Sequence, residues 1–525
     1  MTGAFRESMA WLHTWAGVCV GWILYFVFVT GTLGYFAVEI DQWMTPERPV
    51  AAVTVDAASA ADTGVRRLLE VAPDAERWTI TPPGHRENPD LQVAWSGADP
   101  GRETEILHAE TGEPADYRET AGGSTLYRMH YQLAYLPRTA ASWIVGAAAL
   151  AMLVVLLAGV VIHRHLFRDA FTLRTGKGLR TWLDAHTLAG VLALPFHLMI
   201  TYSGLVLLGV TYMSVVVAAG YGSGADGRQA FFSERSESVR HISAAGEQAT
   251  LAEIAPLVQQ AESRWGDDSV GRITIQNPGD AEARVAVARH TERPLRTREQ
   301  LVFDGVSGEL VDHHTPPVSA AHGVRDVLVG LHEGRFAQPI LRWLYVLCGF
   351  AGAAMVATGL VLWTTKRRQQ RRAATGVALV ERLNVAVVAG LPIGVLSYFL
   401  ANRLLPVGLD GRADWEVHAM FIVWAAAFAH AAARPPGRAW VEQIGAGAVL
   451  AALLPMVNFL TTDIHLGRAL AGGNWVLAGV DGTALAFSAL LAGLLIRSRR
   501  RAADNAAASA RRRGGMRGGV QGGGK

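Results

Sequence analysis

A hydrocarbon core about 30 Å thick takes roughly 20 apolar helical residues to cross, and this chain meets that demand repeatedly. Eight stretches are long and apolar enough: 11–38, 141–162, 183–214, 340–363, 383–402, 415–433, 441–460 and 475–496. Ala and Gly dilute the sixth and seventh. Half of the 525 residues are hydrophobic and only 18% are charged, too apolar for an ordinary soluble protein. The first stretch carries no cleavage pattern and reads as a retained span. The expected fold is an α-helical polytopic membrane protein.

Basic residues set the sides, because short loops rich in Lys and Arg stay in the cytoplasm. Segment 163–182 holds Arg164, Arg168, Arg174, Lys177 and Arg180; segment 364–382 contains KRRQQRR; ARPPGR spans 433–438; the tail opens RSRRR. With eight spans and the N-terminus inside, all four fall on one side. The expected location is a bacterial inner membrane, with both termini cytoplasmic. The net charge of +3 says little, because Lys and Arg are unevenly placed, and no nucleic-acid partner is expected.

The other side receives two polar segments, 39–140 and 215–339. Each holds a helix-like stretch, Ala57–Val71 and Leu251–Trp265. Strand-like pieces follow in the second, at Arg272–Gln276, Ala283–Ala288 and Leu301–Asp304. The endings LHAETGEP (107–114) and VFDGVSGEL (302–310) look alike. They read as a repeated small α+β module. The expected organisation is span one (1–38), module one (39–140), spans two and three (141–214), module two (215–339), span four (340–370) and a four-span C-terminal region (371–497). A disordered basic tail (498–525) follows, its arginines facing anionic lipid.

Ionisable residues in or beside spans are costly and therefore functional suspects. Here they are histidines: His13, His130, His163, His165, His186, His197, His332, His418 and His430. Cys19 and Cys348 sit in apolar runs without CxxC spacing and read as small buried thiols. Imidazole suits haem iron, zinc or copper, but a closed zinc site lacks partners here. A b-type haem needs only one or two axial imidazoles from facing helices. His186 and His197, eleven residues apart on one predicted helix, return almost to one face about 16 Å apart, as two stacked sites would. By position His13, His163 and His186 form a lower group and His130 and His332 an upper group, with His197 between. The adjacent His313–His314 is a weak metal candidate, and His418 and His430 share no face. Gly17, Gly21, Gly31, Gly34, Gly349, Gly352 and Gly359 allow close helix approach or room for a flat macrocycle. Trp11, Trp143, Trp182, Trp343 and Trp363 read as interfacial anchors, and Asp184 as a helix cap.

Four stretches read together: WLHTWAGVCVGWILYFVFVTGTLGYF, YRMHYQLAYLPRTAASWIVGAAALAMLVVLLAGVVIHRHLFRD, WLDAHTLAGVLALPFHLMITYSGLVL and LHEGRFAQPILRWLYVLCGFAGAAMVATGLVLWTTKRR. Over roughly residues 1–370 this pattern resembles the PepSY-associated transmembrane family, iron-regulated inner-membrane proteins that include siderophore-iron reductases. The modules ending TGEP and SGEL are similar to PepSY domains. The resemblance implies a four-helix redox core that carries b-type haem, two copies here, and passes electrons to a ferric siderophore or other ferric chelate. The matching positions are His13, His130, His186 and His332, as haem-iron ligands, with His163 and His197 in motifs of a closer subgroup. The expected pairing is His13 or His163 with His186, and His130 with His332.

No Gly-rich dinucleotide fingerprint follows a strand, so electrons are expected from quinol or a separate cytoplasmic reductase. Two other readings remain: a non-enzymatic membrane protein whose PepSY modules bind peptides or envelope partners, and an iron-chelate permease subunit. Scarce intramembrane carboxylate, with Asp184 and Glu416 only near span ends, argues against the permease.

Overall fold

The computed structural model describes residues 3–48, 55–86, 88–97, 101–163, 172–224, 226–228, 230–231, 242–290, 299–315, 320–370 and 375–519. Arg164, His165, Arg168, His241 and the end of the KRRQQRR run lie outside them. The chain is a multi-pass membrane protein. Among the described residues seven helices are long and apolar enough to cross a bilayer, and a bent helix pair supplies an eighth span.

Span one is α1 (Gly3–Gly34), followed by the short α2 (Ala37–Met44). Module one comprises α3 (Ala57–Val71), β1 (Arg77–Thr81), β2 (Leu91–Ser96) and β3 (Arg102–Leu107). Asp56 caps α3, accepting from the Ser59 amide at 2.8 Å. Helix α4 (Gly122–Gln132) then leads into span two, α5 (Arg138–Ile162). Span three is α6 (Leu179–Leu192) and α7 (Leu194–Leu207). Module two comprises α8 (Ile254–Trp265), β4 (Val270–Gln276), β5 (Arg284–Arg289), β6 (Gln300–Asp304) and β7 (Leu310–His314). Helix α9 (Ala320–Glu333) leads into span four, α10 (Pro339–Gln369).

The two modules are not separate bodies. They form one seven-stranded antiparallel sheet, β3-β2-β1-β4-β5-β6-β7, closed across its centre by β1 on β4. Alternation puts Trp78, Ile80, Ile273, Ile275, Val285 and Val287 on one face, where α3 and α8 complete a single core. The repeat in the endings is real at the hydrogen-bond level. The His108 amide donates to Glu113 O and the Gly112 amide to His108 O; Asp304, Glu309 and Gly308 repeat both bonds. Gly112 and Gly308 both take positive φ, +77° and +74°, which glycine adopts without strain.

Three expectations need correction. Span three is no single helix: α6 and α7 meet at a 67° bend. Pro195 sits in the first turn of α7, where it has no amide to donate to α6, so the helix breaks just before it. His186 and His197 therefore share no straight helix face. Asp184 does not cap the helix. It lies in the second turn of α6 and binds Arg174, whose backbone amide (3.0 Å), Nε (2.9 Å) and guanidinium Nη2 (3.0 Å) all donate to it. The last helix continues to Gly519, so 498–519 is helical rather than disordered; its Ala and Arg are strong helix formers.

The C-terminal region begins with a span running from α11 (Thr375–Asn384) through a π-turn (Val385–Ala389) into α12 (Gly390–Leu404). Then come α13 (Arg412–Ala433), α14 (Pro436–Thr461) and α15 (Trp475–Gly519). A π-turn releases backbone carbonyls from the helix ladder. Val388 O accepts from the Tyr25 hydroxyl at 3.0 Å, docking this region onto α1, and Ala386 O accepts from Trp424 Nε1 of α13 at 2.9 Å.

The helices alternate direction, so one end of the bundle gathers the basic segments. There Arg367 lies 3.6 Å over the Trp363 ring, and Trp363 packs edge-on against Trp15. The sheet sits at the opposite end. Ile273 is wholly buried at the seam of the sheet. Ile273→Ala should cost about 2–5 kcal/mol and lower amide-exchange protection in β2 and β5 together; loss confined to β5 would mean that the modules fold independently.

Candidate functional site

Four half-buried histidines form two facing pairs. At the basic end the rings of His13 (α1) and His186 (α6) lie 6.1 Å apart, nearly perpendicular. At the sheet end His130 (α4) and His332 (α9) lie 6.3 Å apart, nearly parallel at 22°. Along α1 the two levels are separated by about 27 Å, from His13 to Gly31, which touches His130.

Each ring is tethered through Nδ1. His13 Nδ1 donates to Val155 O at 2.9 Å and His186 Nδ1 to Met355 O at 2.8 Å, each reaching a neighbouring helix. His130 Nδ1 donates to Tyr127 O in its own helix. His332 Nδ1 meets Ser203 Oγ at 2.9 Å, and that hydroxyl donates onward to Met199 O at 2.6 Å. With the hydroxyl proton so committed, Nδ1 must donate. A carbonyl only accepts, so in all four rings the proton sits on Nδ1 and Nε2 keeps its lone pair. Burial pushes His130 down to about 4, against the opposing Tyr127 carbonyl. Burial, then the neighbouring His130, takes His332 down to about 3. The sheet-end pair is therefore neutral at physiological pH, as a metal ligand must be.

Glycines give the rings their room. A Cβ on Gly159 would lie 3.3 Å from His13 Cε1; on Gly359, 3.1 Å from His186 Cε1; on Gly204, 3.1 Å from His332 Cε1; on Gly31, 3.5 Å from His130 Cγ. Of the sequence-singled glycines, Gly31 and Gly359 serve histidines, while Gly349 and Gly352 admit Thr32 and Phe28.

Behind these matches lies a duplication covering the spans as well as the modules. HTWAGV (13–18) reappears as HTLAGV (186–191), and the eighteenth residue after each histidine is glycine, Gly31 and Gly204. Val155–Gly159 and Met355–Gly359 share their spacing and their roles. Each pair thus takes one imidazole from each half of the chain. Ser203, Gly159 and Gly204 escaped the reading of the sequence by residue type, but aligning the two HTxAGV segments finds Gly204 directly.

The other candidates join neither pair. His197 is fully buried between the levels and oppositely tethered, its Nε2 donating to Cys348 O at 3.2 Å. Its counterpart in the first half is Leu24, and Phe28 and Phe196 pack edge-on against it. His163 ends α5 within electrostatic reach of His13 and His186 but makes no ring contact with either. His418 bonds the Tyr135 hydroxyl at 2.6 Å and His430 bonds Glu442 at 2.8 Å. His313 pairs with Glu299 at 2.9 Å. Among the described residues no three His, Cys, Asp or Glu side chains gather as a metal cluster.

A ring nitrogen sits about 2.0 Å from a first-row metal, which places the ring centres of a bis-imidazole site ~6.3 Å apart. Both pairs match that spacing.

The model of the PepSY-associated TM region matches residues 10–366. The chain belongs to this family. A relative, the uncharacterized protein PA4219 of Pseudomonas aeruginosa, is 25% identical over 306 residues, covering 54% of this chain and 73% of its own. The matched region contains both histidine pairs and stops before the C-terminal region.

That C-terminal region nevertheless holds α4 in place. Glu416 accepts from the Ala121 amide at 2.9 Å and the Thr120 hydroxyl at 2.7 Å, and the Tyr398 hydroxyl donates to Gly122 O at 2.7 Å. Glu416 also pairs with Arg412, both fully buried. Glu416→Ala strands that guanidinium, so a loss of about 3–5 kcal/mol should lower the melting temperature in detergent. Gly359→Val should displace the His186 ring and spare the sheet-end pair, which ring-proton NMR of the two sites would resolve.

Proposed function

We propose that the protein is a haem-containing reductase of the bacterial inner membrane, passing electrons outward to ferric iron held by a siderophore or other chelate. The observation that carries this reading is the pair of facing imidazoles at each end of the span, each ring tethered through Nδ1 with Nε2 left available. Zinc would ask for a fuller ligand set. Two b-type haems, one per pair, would supply one-electron carriers near the two faces of the membrane. His13 and His186 would hold one; His130 and His332 would hold the other.

The chain's own work is to present neutral nitrogens, fix ring orientation and bury both sites from water. Outer hydrogen bonds of this kind orient a metal-binding histidine and raise its basicity. The basic end faces the cytoplasm by the distribution of Lys and Arg, which puts the sheet in the periplasm. Each chelated Fe(III) takes up one electron and leaves as Fe(II). A quinol donor would serve two such ions and release two protons; a cytoplasmic reductase would supply the electrons singly at the His13 end.

The purified protein should show a reduced-minus-oxidised spectrum of b type, with two haems per chain. His186→Ala and His332→Ala should each remove one, and His197→Ala neither. A colourless protein reconstituted with haem in excess would refute the reading.

A further inference from the structure

Between the open face of the sheet and the membrane end of the bundle lies a cavity of about 1210 Å³. Strands β1, β4 and β5 roof it; α2, α4 and the start of α10 form its floor. Tyr127 lines it and also packs 5.2 Å from the His130 ring, and Glu333, next to His332, lines it too. The Tyr127 ring thus touches both the cavity and the His130 ring.

Its charges do not cancel. The lining carries six arginines against four carboxylates, Glu39, Asp41, Glu299 and Glu333. Every one of those carboxylates is already engaged. Glu39 binds both Arg86 (2.6 Å) and Arg342 (2.9 Å), Glu299 binds Arg289 (2.8 Å), and Glu333 binds Arg335 (3.0 Å). Asp41 accepts from the Gly123 amide at 2.8 Å, and burial pushes its carboxyl up to about 6.

Two lining arginines remain. Arg77 on β1 and Arg272 on β4 point from the face opposite the module core and have no carboxylate partner among the described residues. Arg102, on the same face at the start of β3, is likewise unpaired and adds its charge. Partial desolvation, then the nearby Arg102 guanidinium, draws the pKa of Arg272 down although its side chain stays open to solvent. Both Arg77 and Arg272 are solvent-exposed on this face, and unpaired guanidiniums lining an open cavity suit planar oxyanions, which they bind bidentately.

We infer that this cavity is the chelate site of the proposed reductase and selects anionic ferric chelates, those presenting carboxylate or catecholate oxygens, through Arg77 and Arg272. The inference rests on the proposed function for the identity of the ligand, but the site stands on geometry alone. A neutral or cationic trihydroxamate has no charge for these arginines to read. An anionic phospholipid headgroup shares the oxyanion chemistry, and the assay separates the two sources.

The probe is gallium(III) citrate, redox-inert, titrated into the full-length protein in phosphatidylcholine nanodiscs and followed by tryptophan fluorescence. Arg77→Gln with Arg272→Gln should weaken binding about tenfold or more. The Lys pair at the same positions should restore it to within about threefold. Gallium desferrioxamine, a cationic trihydroxamate complex, should bind weakly and equally to all three proteins. Unchanged gallium citrate affinity in the Gln pair overturns the inference, as does binding of glycerol phosphate, the headgroup mimic, in preference to the chelate. Since gallium takes no electron, a chelate-binding protein without haem would refute the proposed function alone. A haem protein oxidised by ferric citrate with no dependence on Arg77 or Arg272 would refute the cavity assignment alone.

Discussion

The arrangement turns on four hydrogen bonds, one at the Nδ1 of each paired histidine. A lone imidazole within or beside a membrane span is costly unless its polar atoms are satisfied. Satisfying Nδ1 fixes the tautomer, the ring plane and the atom left available. Because Val155 and Met355 offer their carbonyls from neighbouring spans, those two bonds also join α1 to α5 and α6 to α10. The glycines at Gly159, Gly204 and Gly359 follow from the same demand, since a ring can reach a facing backbone only where no side chain intervenes.

Much of this was legible in the sequence, for definite reasons. Span positions follow from hydropathy, and the helix-like stretch Ala57–Val71 has the bounds that α3 takes. Assigning each residue to a leaflet left His13 or His163 to pair with His186 and paired His130 with His332; the structure brings His13, not His163, against His186. What eluded reading by type was long-range: the β1–β4 seam, the carbonyl partners and the bend at Pro195. A proline two residues before His197 was in plain view, yet period alone favoured a straight helix. His197 shows the cost, since its eleven-residue spacing from His186 suggested a stacked site that the 67° bend removes.

The C-terminal region takes its meaning from the asymmetry between the two halves. Where the second half has Pro195, the first has Trp22, whose indole donates to Asn384 at 3.0 Å. So α1 runs unbroken from Gly3 to Gly34 and receives α11 and the π-turn as neighbours. At the sheet end Arg403 lies 3.8 Å over the Trp43 ring and donates to Asn458 at 2.8 Å, while Asp481 accepts from Trp43 at 3.0 Å. These buried contacts make the added spans a brace on one half of a duplicated core, steadying the helix that presents His130.

The seam between β1 and β4 also bears on biogenesis. Two spans are synthesised between these strands, so β1 emerges long before the neighbour that will cover it. Until β4 arrives, module one presents a bare strand edge, the kind of surface that recruits wrong partners. Assembly in the membrane and closure of the sheet are thus a single ordered event. A nascent chain stalled after α5 would leave the β1 edge bare.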